Sequence, residues 1–169
     1  MQMDASNELL TIAELAVGLA GFSGVVAALS HRGKLGEIDR FHFIILFSVS
    51  FIAVFLCFVP FAANKFTPDI PTLWMASSSI MLVVSVLTAF ALNRAVPDSL
   101  RAAPPTGLLG GQLIGSGLPL AIFLSQIANI IGWPLGSDSL LYVAGVLGWL
   151  LVAGLNFLRI ILHGPTEKA

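Results

Sequence analysis

One carboxylate stands inside the first long apolar run of the chain, where a charge is costly. Glu14 lies five residues into the run 9–29. An ionisable side chain in a membrane span costs at least a few kcal/mol, so it usually faces the bundle interior or a water-filled path. Glu14 is therefore a candidate site for a small ion, either a cation or a proton. The alternative is a partly solvated carboxylate, because the outer end of the run is only about 7 Å away.

Five uncharged polar side chains are predicted to lie at a depth similar to that of Glu14. Serine, glutamine and asparagine form hydrogen bonds between helices in lipid, where no water competes. A layer of such groups serves either as an ion or proton site together with the carboxylate, or as the polar contacts that hold helices together. Holding helices together is the commoner of the two roles. The five residues are Ser77, Ser78, Ser79, Gln126 and Asn129.

Three histidines are predicted to lie together at the opposite membrane surface, and they are the weak candidates for a metal site. They are His31, His42 and His163. No two of them have the tight i, i+4 spacing of helical metal ligands, and amphipathic side chains are common at span ends. We therefore expect no bound metal and no cofactor. The sequence also lacks a serine-nucleophile elbow, a phosphate loop and a metalloprotease motif, so we do not expect an enzyme.

The composition places these side chains in a membrane protein. Hydrophobic residues make up 57% of the chain and charged residues only 10%, whereas soluble domains carry about 25% charged residues. We therefore predict an all-α, polytopic transmembrane bundle that forms a single membrane domain over residues 1–169. The net charge of -1 offers no basic surface for nucleic acid. The expected partners are the lipid bilayer and further copies of the chain.

Four apolar runs are long enough to cross a bilayer core of about 30 Å as helices. A fifth run is interrupted in its first half by glycines and by Pro119. We predict five spans, with four spans and a re-entrant segment as the alternative. The predicted spans are 9–29, 42–63, 73–92, 112–133 and 140–162.

Basic residues give the predicted orientation, because lysine and arginine concentrate in short cytoplasmic loops. With five spans, only Lys65 falls on the outer side. The chain is therefore expected in the inner (plasma) membrane with its N-terminus outside and its C-terminus in the cytoplasm. Trp74, Trp133 and Tyr142 then fall near the outer interface, as an aromatic belt would. The basic residues on the inner side are Arg32, Lys34, Arg40, Arg94, Arg101, Arg159 and Lys168.

Small residues line one side of the first span. Ala16, Ala20, Gly24 and Ala28 recur every fourth residue, and Gly21 widens the same face. Such a face lets two helix backbones approach closely. It predicts a central helix that packs either against helices of its own chain or against its copies around an oligomer axis.

Two further patterns concern the second and fourth spans. The second span carries a phenylalanine stripe at helical spacing, which is typical of a lipid-facing or packing surface. The glycine-rich segment 107–119 precedes the fourth span and is either a broken helix, as in transporters, or the commoner interfacial lead-in. The phenylalanines are Phe43, Phe47, Phe51, Phe55 and Phe58.

Two short runs carry a resemblance to known membrane proteins. Small polytopic bacterial membrane proteins have sequences similar to Ala20-Gly21-Phe22-Ser23-Gly24-Val25-Val26-Ala27. The same run resembles the pore helix of the Orai calcium channels, and Asn156-Phe157-Leu158-Arg159 resembles the end of their last helix. Leu29 stands where the Orai pore carries its selectivity carboxylate, and the predicted orientation of the helix is reversed. The resemblance implies an oligomer with this helix at its axis, but not calcium selectivity.

These patterns lead to one functional hypothesis and two alternatives. The leading hypothesis is an oligomeric ion channel or channel-like assembly for a cation or proton, with Glu14 on the outer side of a path lined by the first helix. One alternative is a non-catalytic membrane scaffold or accessory subunit, in which the small residues serve packing alone. The other is a proton-coupled carrier of small solutes, which would use the break in 107–119.

Overall fold

The structure, a computed structural model, describes residues 5–30, 37–67, 69–98, 117–133 and 138–163, and their side chains except those of 26–30, 37–39, 138, 159, 162 and 163. The described residues are helical apart from a few turn and irregular positions, and they contain no strand. The prediction of an all-α bundle is therefore confirmed. The helices are α1 (Ser6–Ser30), α2 (Glu37–Ala63), α3 (Ile70–Ala95), α4 (Leu118–Ile130) and α5 (Asp138–His163).

Four of the described helices are long and apolar enough to cross a membrane. The fourth predicted span, 112–133, differs from this pattern. Its described part is α4, which has 13 residues and a length of about 20 Å, less than the hydrocarbon thickness of about 30 Å. Residues 112–116 of that prediction, like 107–116 of the glycine-rich segment, lie outside the described residues. The four spanning segments are Ser6–Val25, Arg40–Ala63, Ile70–Ala95 and Ser139–Leu158.

Backbone chemistry sets the C-terminal end of α4. Gly132 has a φ of +68°, a left-handed conformation that glycine adopts without strain. The chain then turns back, and the N–H of Trp133 donates to the carbonyl of Ala128 at 2.9 Å. This is the usual glycine-terminated helix end.

The helices alternate in direction through the bundle. Phe22 and Phe157, both in the second halves of their helices, have ring centroids 5.3 Å apart, so α1 and α5 run parallel. Asn129 near the end of α4 contacts Ser78 near the start of α3, so these two helices are antiparallel. The chain therefore passes from one end of the bundle to the other between α3 and α5. The described part of α4 is shorter than a span, so the choice between five spans and four spans with a re-entrant segment stays a prediction.

The face that α2 turns toward the bundle agrees with its sequence pattern. Ser50, Ala53 and Cys57 are buried, while four phenylalanines on the other side are half exposed or more. α2 packs against α1, α3 and α5. The phenylalanine stripe therefore lies on the outer surface of the bundle, away from the core of the chain. The four are Phe47, Phe51, Phe55 and Phe58.

The predicted aromatic belt is only partly correct. Trp133 is exposed, but Trp74 and Tyr142 are buried inside the bundle, with ring centroids 5.6 Å apart. The belt assignment considered only depth in the membrane. Depth does not determine whether a ring faces lipid or a neighbouring helix.

A side-chain cap starts α3 at the membrane surface. The Asp69 carboxylate accepts hydrogen bonds from the hydroxyl and from the backbone N–H of Thr72. An acidic N-cap of this kind satisfies a backbone donor that has no partner inside the helix. Because both bonds favour the ionised carboxylate, they hold the pKa of Asp69 below its usual range.

Candidate functional site

Four of the five predicted polar residues are buried, and they are contributed by α3 and α4. Ser77, Ser78, Gln126 and Asn129 are each at most 7% exposed. The Asn129 amide donates to Ser78 Oγ at 2.7 Å, and this bond joins α4 to α3. Gln126 Nε2 donates to the carbonyl of Leu141 on α5 and to Ser125 Oγ, both at 3.0 Å. The buried polar cluster therefore ties three helices together.

A glycine on α5 makes room for the Gln126 side chain. A Cβ added to Gly145 would overlap Gln126 Nε2 and would lie 2.9 Å from Met81 Sδ on α3. The amide can reach the Leu141 carbonyl only because nothing projects from the helix at this point. Gly148 plays the same part for Ile122, whose Cγ1 would lie 2.6 Å from an added Cβ.

Most hydrogen-bonding capacity of this cluster is used between or within helices. Ser77 Oγ donates to the carbonyl of Leu73, and Ser79, which is exposed, donates to that of Met75. Gln126 Oε1 is buried and has no hydrogen-bond partner in the part of the chain that the structure describes. The cluster is uncharged, so its chemistry is that of neutral hydrogen bonding and not of general acid–base catalysis.

Glu14 is not a member of this cluster. Its side chain is exposed on α1, a helix that packs mainly against α2 and α5. The cluster lies instead where α3, α4 and α5 meet. The single layer predicted from sequence is therefore divided within one chain. Its serine, glutamine and asparagine members are mostly internal, whereas the carboxylate lies on the outer surface of the bundle.

The small-residue face of α1 is divided in a similar way. Ala16 and Ala20 are buried in the bundle, whereas Gly21 and Gly24 are exposed. A Cβ added to either glycine would meet nothing within 4 Å. The side chain of Ala28 lies outside the described set. Part of the face is thus used for packing within the chain, and the two glycines remain uncovered.

An apolar groove opens sideways between α1 and α2. Its volume is about 340 Å³, and it lies in the middle part of both helices. Gly21 and Gly24 form part of its α1 wall. The lining residues are Val17, Ala20, Gly21, Gly24, Phe47, Phe51 and Val54.

Only one of the three predicted histidines, His42, has a described side chain. His42 is partly buried beside the Phe41 ring. His31 and the side chain of His163 lie outside the described set. Among the described residues there is no group of three histidine, cysteine or acidic side chains that could hold a metal ion.

A buried hydrogen bond that the sequence patterns did not indicate joins α2 to α5. Tyr142 donates its hydroxyl to the carbonyl of Leu56 at 2.6 Å. That carbonyl lacks its usual partner in the helix, because residue 60 is a proline inside α2 and has no N–H to donate. A neighbouring helix therefore satisfies the group that the proline leaves free, as membrane bundles require. A proline within an apolar run was the only sequence signal for this bond.

The tyrosine bond is expected to depend on the proline. In Tyr142→Phe the Leu56 carbonyl loses its partner while it remains buried, at a cost of about 1–2 kcal/mol. In Pro60→Ala the alanine N–H is available to the same carbonyl, so there the tyrosine change should cost less than about 0.5 kcal/mol. Unfolding of the four proteins in mixed detergent micelles measures this coupling. If Tyr142→Phe lowered stability equally with and without Pro60→Ala, the bond would not depend on the proline.

Comparison of the chain with protein-family models, with curated proteins and with solved structures finds no match. What the protein does must therefore be argued from its own residues.

Proposed function

We propose that the chain is one subunit of a homo-oligomeric membrane assembly that conducts cations or protons, with α1 of each subunit facing the axis. The exposed position of Glu14 carries the proposal. A carboxylate on the outside of a membrane bundle needs water or a hydrogen-bonding partner, and lipid tails provide neither. Copies of α1 around a water-containing axis would provide both.

The depth of Glu14 supports this proposal over a surface role. α1 runs from Ser6 to Ser30, and Glu14 lies about 12 Å, or two helical turns, from its start. Glu14 therefore lies inside the helix but in the half nearer to its N-terminus. A short glutamate side chain reaches much less far toward the interface than a lysine or an arginine does.

The neighbours of Glu14 on the helix surface also favour close packing of identical helices. Gly18 and Gly21 follow Glu14 by four and seven residues and so share its side of the helix. No atom lies within 4 Å of a Cβ added to either glycine. The side of α1 that packs within the chain, with Ala16 and Ala20, is the opposite one. Glycine surfaces of this kind let helices associate in lipid.

A ring of carboxylates would select for positive charge. Rings of aspartate or glutamate attract cations and repel anions in cation channels. The buried polar cluster around Gln126 and Asn129, in contrast, is largely occupied by hydrogen bonds between helices. This supports a path between subunits in preference to one through the middle of a single chain.

The membrane and the orientation are parts of the same proposal. The distribution of lysine and arginine favours the inner (plasma) membrane with the N-terminus outside and the C-terminus in the cytoplasm. In that orientation Glu14 is nearer to the outer surface. A reporter enzyme fused to the C-terminus should then be active only in the cytoplasm.

The second candidate is a non-conducting scaffold or accessory subunit. The use of polar side chains as bonds between helices favours it. In that case the Glu14 side of α1 would bind a helix of another membrane protein. A flux measurement in liposomes separates the two candidates, because a scaffold carries no flux.

Glu14→Gln is expected to reduce cation or proton flux through the assembled protein by at least about tenfold. The substitution keeps the size of the side chain and removes its charge. A tenfold loss corresponds to a barrier increase of about 1.4 kcal/mol. Flux is measured in liposomes with potassium- and pH-sensitive dyes, on protein whose oligomeric state is established in parallel.

Glu8→Gln is the matched control. Glu8 is exposed in the first turn of the same helix, but it lies away from the side that carries Glu14 and Gly18. This variant should conduct like the unmodified protein. Ion-tight liposomes that contain a correctly assembled oligomer would refute the channel proposal and leave the scaffold.

A further inference from the structure

We infer that a water molecule is bound inside the bundle between α2 and α5, held by Ser50 Oγ and Trp149 Nε1. Both atoms are buried and have no hydrogen-bond partner among the described residues. The Ser50 residue is 0% exposed and Trp149 is 7% exposed. The indole N–H is a donor, and a hydroxyl both donates and accepts, so one water can bond to both. The inference does not rest on the proposed function.

The two atoms belong to the same level of the bundle. The bond between Tyr142 and the Leu56 carbonyl fixes the relative position of α2 and α5, which pack together. α3 is parallel to α5, because Trp74 lies beside Tyr142 and Met81 beside Gly145. α2 ends only seven residues before α3 begins, so α2 is antiparallel to both. From this bond, Ser50 lies about 9 Å back along α2, and Trp149 lies about 10 Å forward along α5. Because the two helices run in opposite directions, both displacements point toward the same end of the bundle. Ser50 and Trp149 therefore lie at a similar level.

Ser50 differs from five serines of the described helices that bond to their own helix. In an apolar setting a helical serine usually donates to a carbonyl of its own helix, one turn earlier. The Ser50 hydroxyl makes no such bond, so it is available to a partner from outside its helix. Serines that do make this bond are Ser23, Ser77, Ser79, Ser85 and Ser125.

A water accounts for these unpaired atoms better than an empty space does. A buried donor or acceptor without a partner bears its full desolvation cost, and in proteins such groups are normally satisfied by protein or by internal water. Internal waters typically make about three hydrogen bonds. Gln126 Oε1, also buried and unpaired, lies against Gly145, one turn of α5 from Trp149. It extends the polar site toward α4.

The direction of a stability change tests the inference. With water bound, Ser50→Ala removes one of its anchors and leaves the indole N–H poorly satisfied, so the midpoint of thermal unfolding should fall by about 2–4 °C. In a dry site the same change removes an unpaired hydroxyl, so the midpoint should rise or stay constant. Either of these results would overturn the inference. Ser85→Ala is the control, because Ser85 bonds to the Met81 carbonyl of its own helix, and its midpoint should hardly change.

Solid-state NMR of the protein in liposomes detects the water directly. With ¹⁵N-labelled tryptophan, magnetisation should pass from water to the indole nitrogen of Trp149. The Trp149 signal is assigned by its absence from the spectrum of Trp149→Phe. Trp133, which is exposed, provides the positive signal. Should Trp149→Phe fail to fold, Trp74→Phe and Trp133→Phe assign the remaining signal by elimination. Transfer to Trp133 without transfer to Trp149 would overturn the inference and would indicate a direct bond or a dry site.

Discussion

Gly145→Ala is expected to destabilise the bundle by about 2–4 kcal/mol. The new methyl group would overlap Gln126 Nε2 and press on Met81 Sδ. Inserting a methyl group into a packed interior costs about 1–3 kcal/mol, and displacing the amide from the Leu141 carbonyl adds about 1 kcal/mol. Equilibrium unfolding in mixed detergent micelles measures the loss.

Gly154→Ala is the matched control for this prediction. It lies on the same helix, and a Cβ there meets nothing within 4 Å. Alanine is the better helix former, so this change should be neutral or stabilising by up to about 1 kcal/mol. The double variant Gly145→Ala/Gln126→Ala no longer has the amide that the new methyl group would overlap. It should therefore recover part of the stability lost in Gly145→Ala. Equal stability of Gly145→Ala and Gly154→Ala would show that the amide does not lie against this glycine.

Gly21→Leu is expected to weaken self-association by at least about 100-fold, or about 2.8 kcal/mol, if copies of α1 meet at the axis. The bulky side chain would hold neighbouring helices apart. The fold of the single chain should survive, because a Cβ at Gly21 meets no atom of its own chain within 4 Å. Subunit exchange between differently labelled copies in liposomes measures the association.

Ala89→Leu makes a similar increase in size at an exposed position of α3, away from α1, and should leave association unchanged. An unchanged oligomer in Gly21→Leu would place the subunit contact on another helix. It would also remove the main support for a carboxylate ring.

The fold was largely predictable because apolar length and periodicity reflect direct physical requirements. A membrane core needs about 20 apolar residues per helix, and α2 and α3 coincide closely with such runs. The helix bounds were less predictable. α2 begins at Glu37, outside the apolar run, since backbone hydrogen bonding continues past the membrane surface.

The site was predictable in composition but not in arrangement. Membrane chemistry alone identified Gln126 and Asn129 as residues that bond between helices. Which partners they meet depends on how α3, α4 and α5 rotate about their axes, and one sequence does not encode that as a local pattern. The same limit applies to Glu14, whose exposure depends on the side of α1 that the rest of the chain covers. Gly145 was one of several glycines in α5, and its role appears only with the amide packed on it.

The bond between Tyr142 and the Leu56 carbonyl also bears on the order of events during synthesis. Its two residues are 86 positions apart, so α2 enters the membrane well before α5 has been made. Until α5 arrives, the carbonyl freed by Pro60 faces lipid or a temporary partner. A nascent or truncated chain that ends before Tyr142 therefore keeps a polar defect on its second helix. The arrival of the last helix removes that defect, so the bond distinguishes a completed chain from an unfinished one.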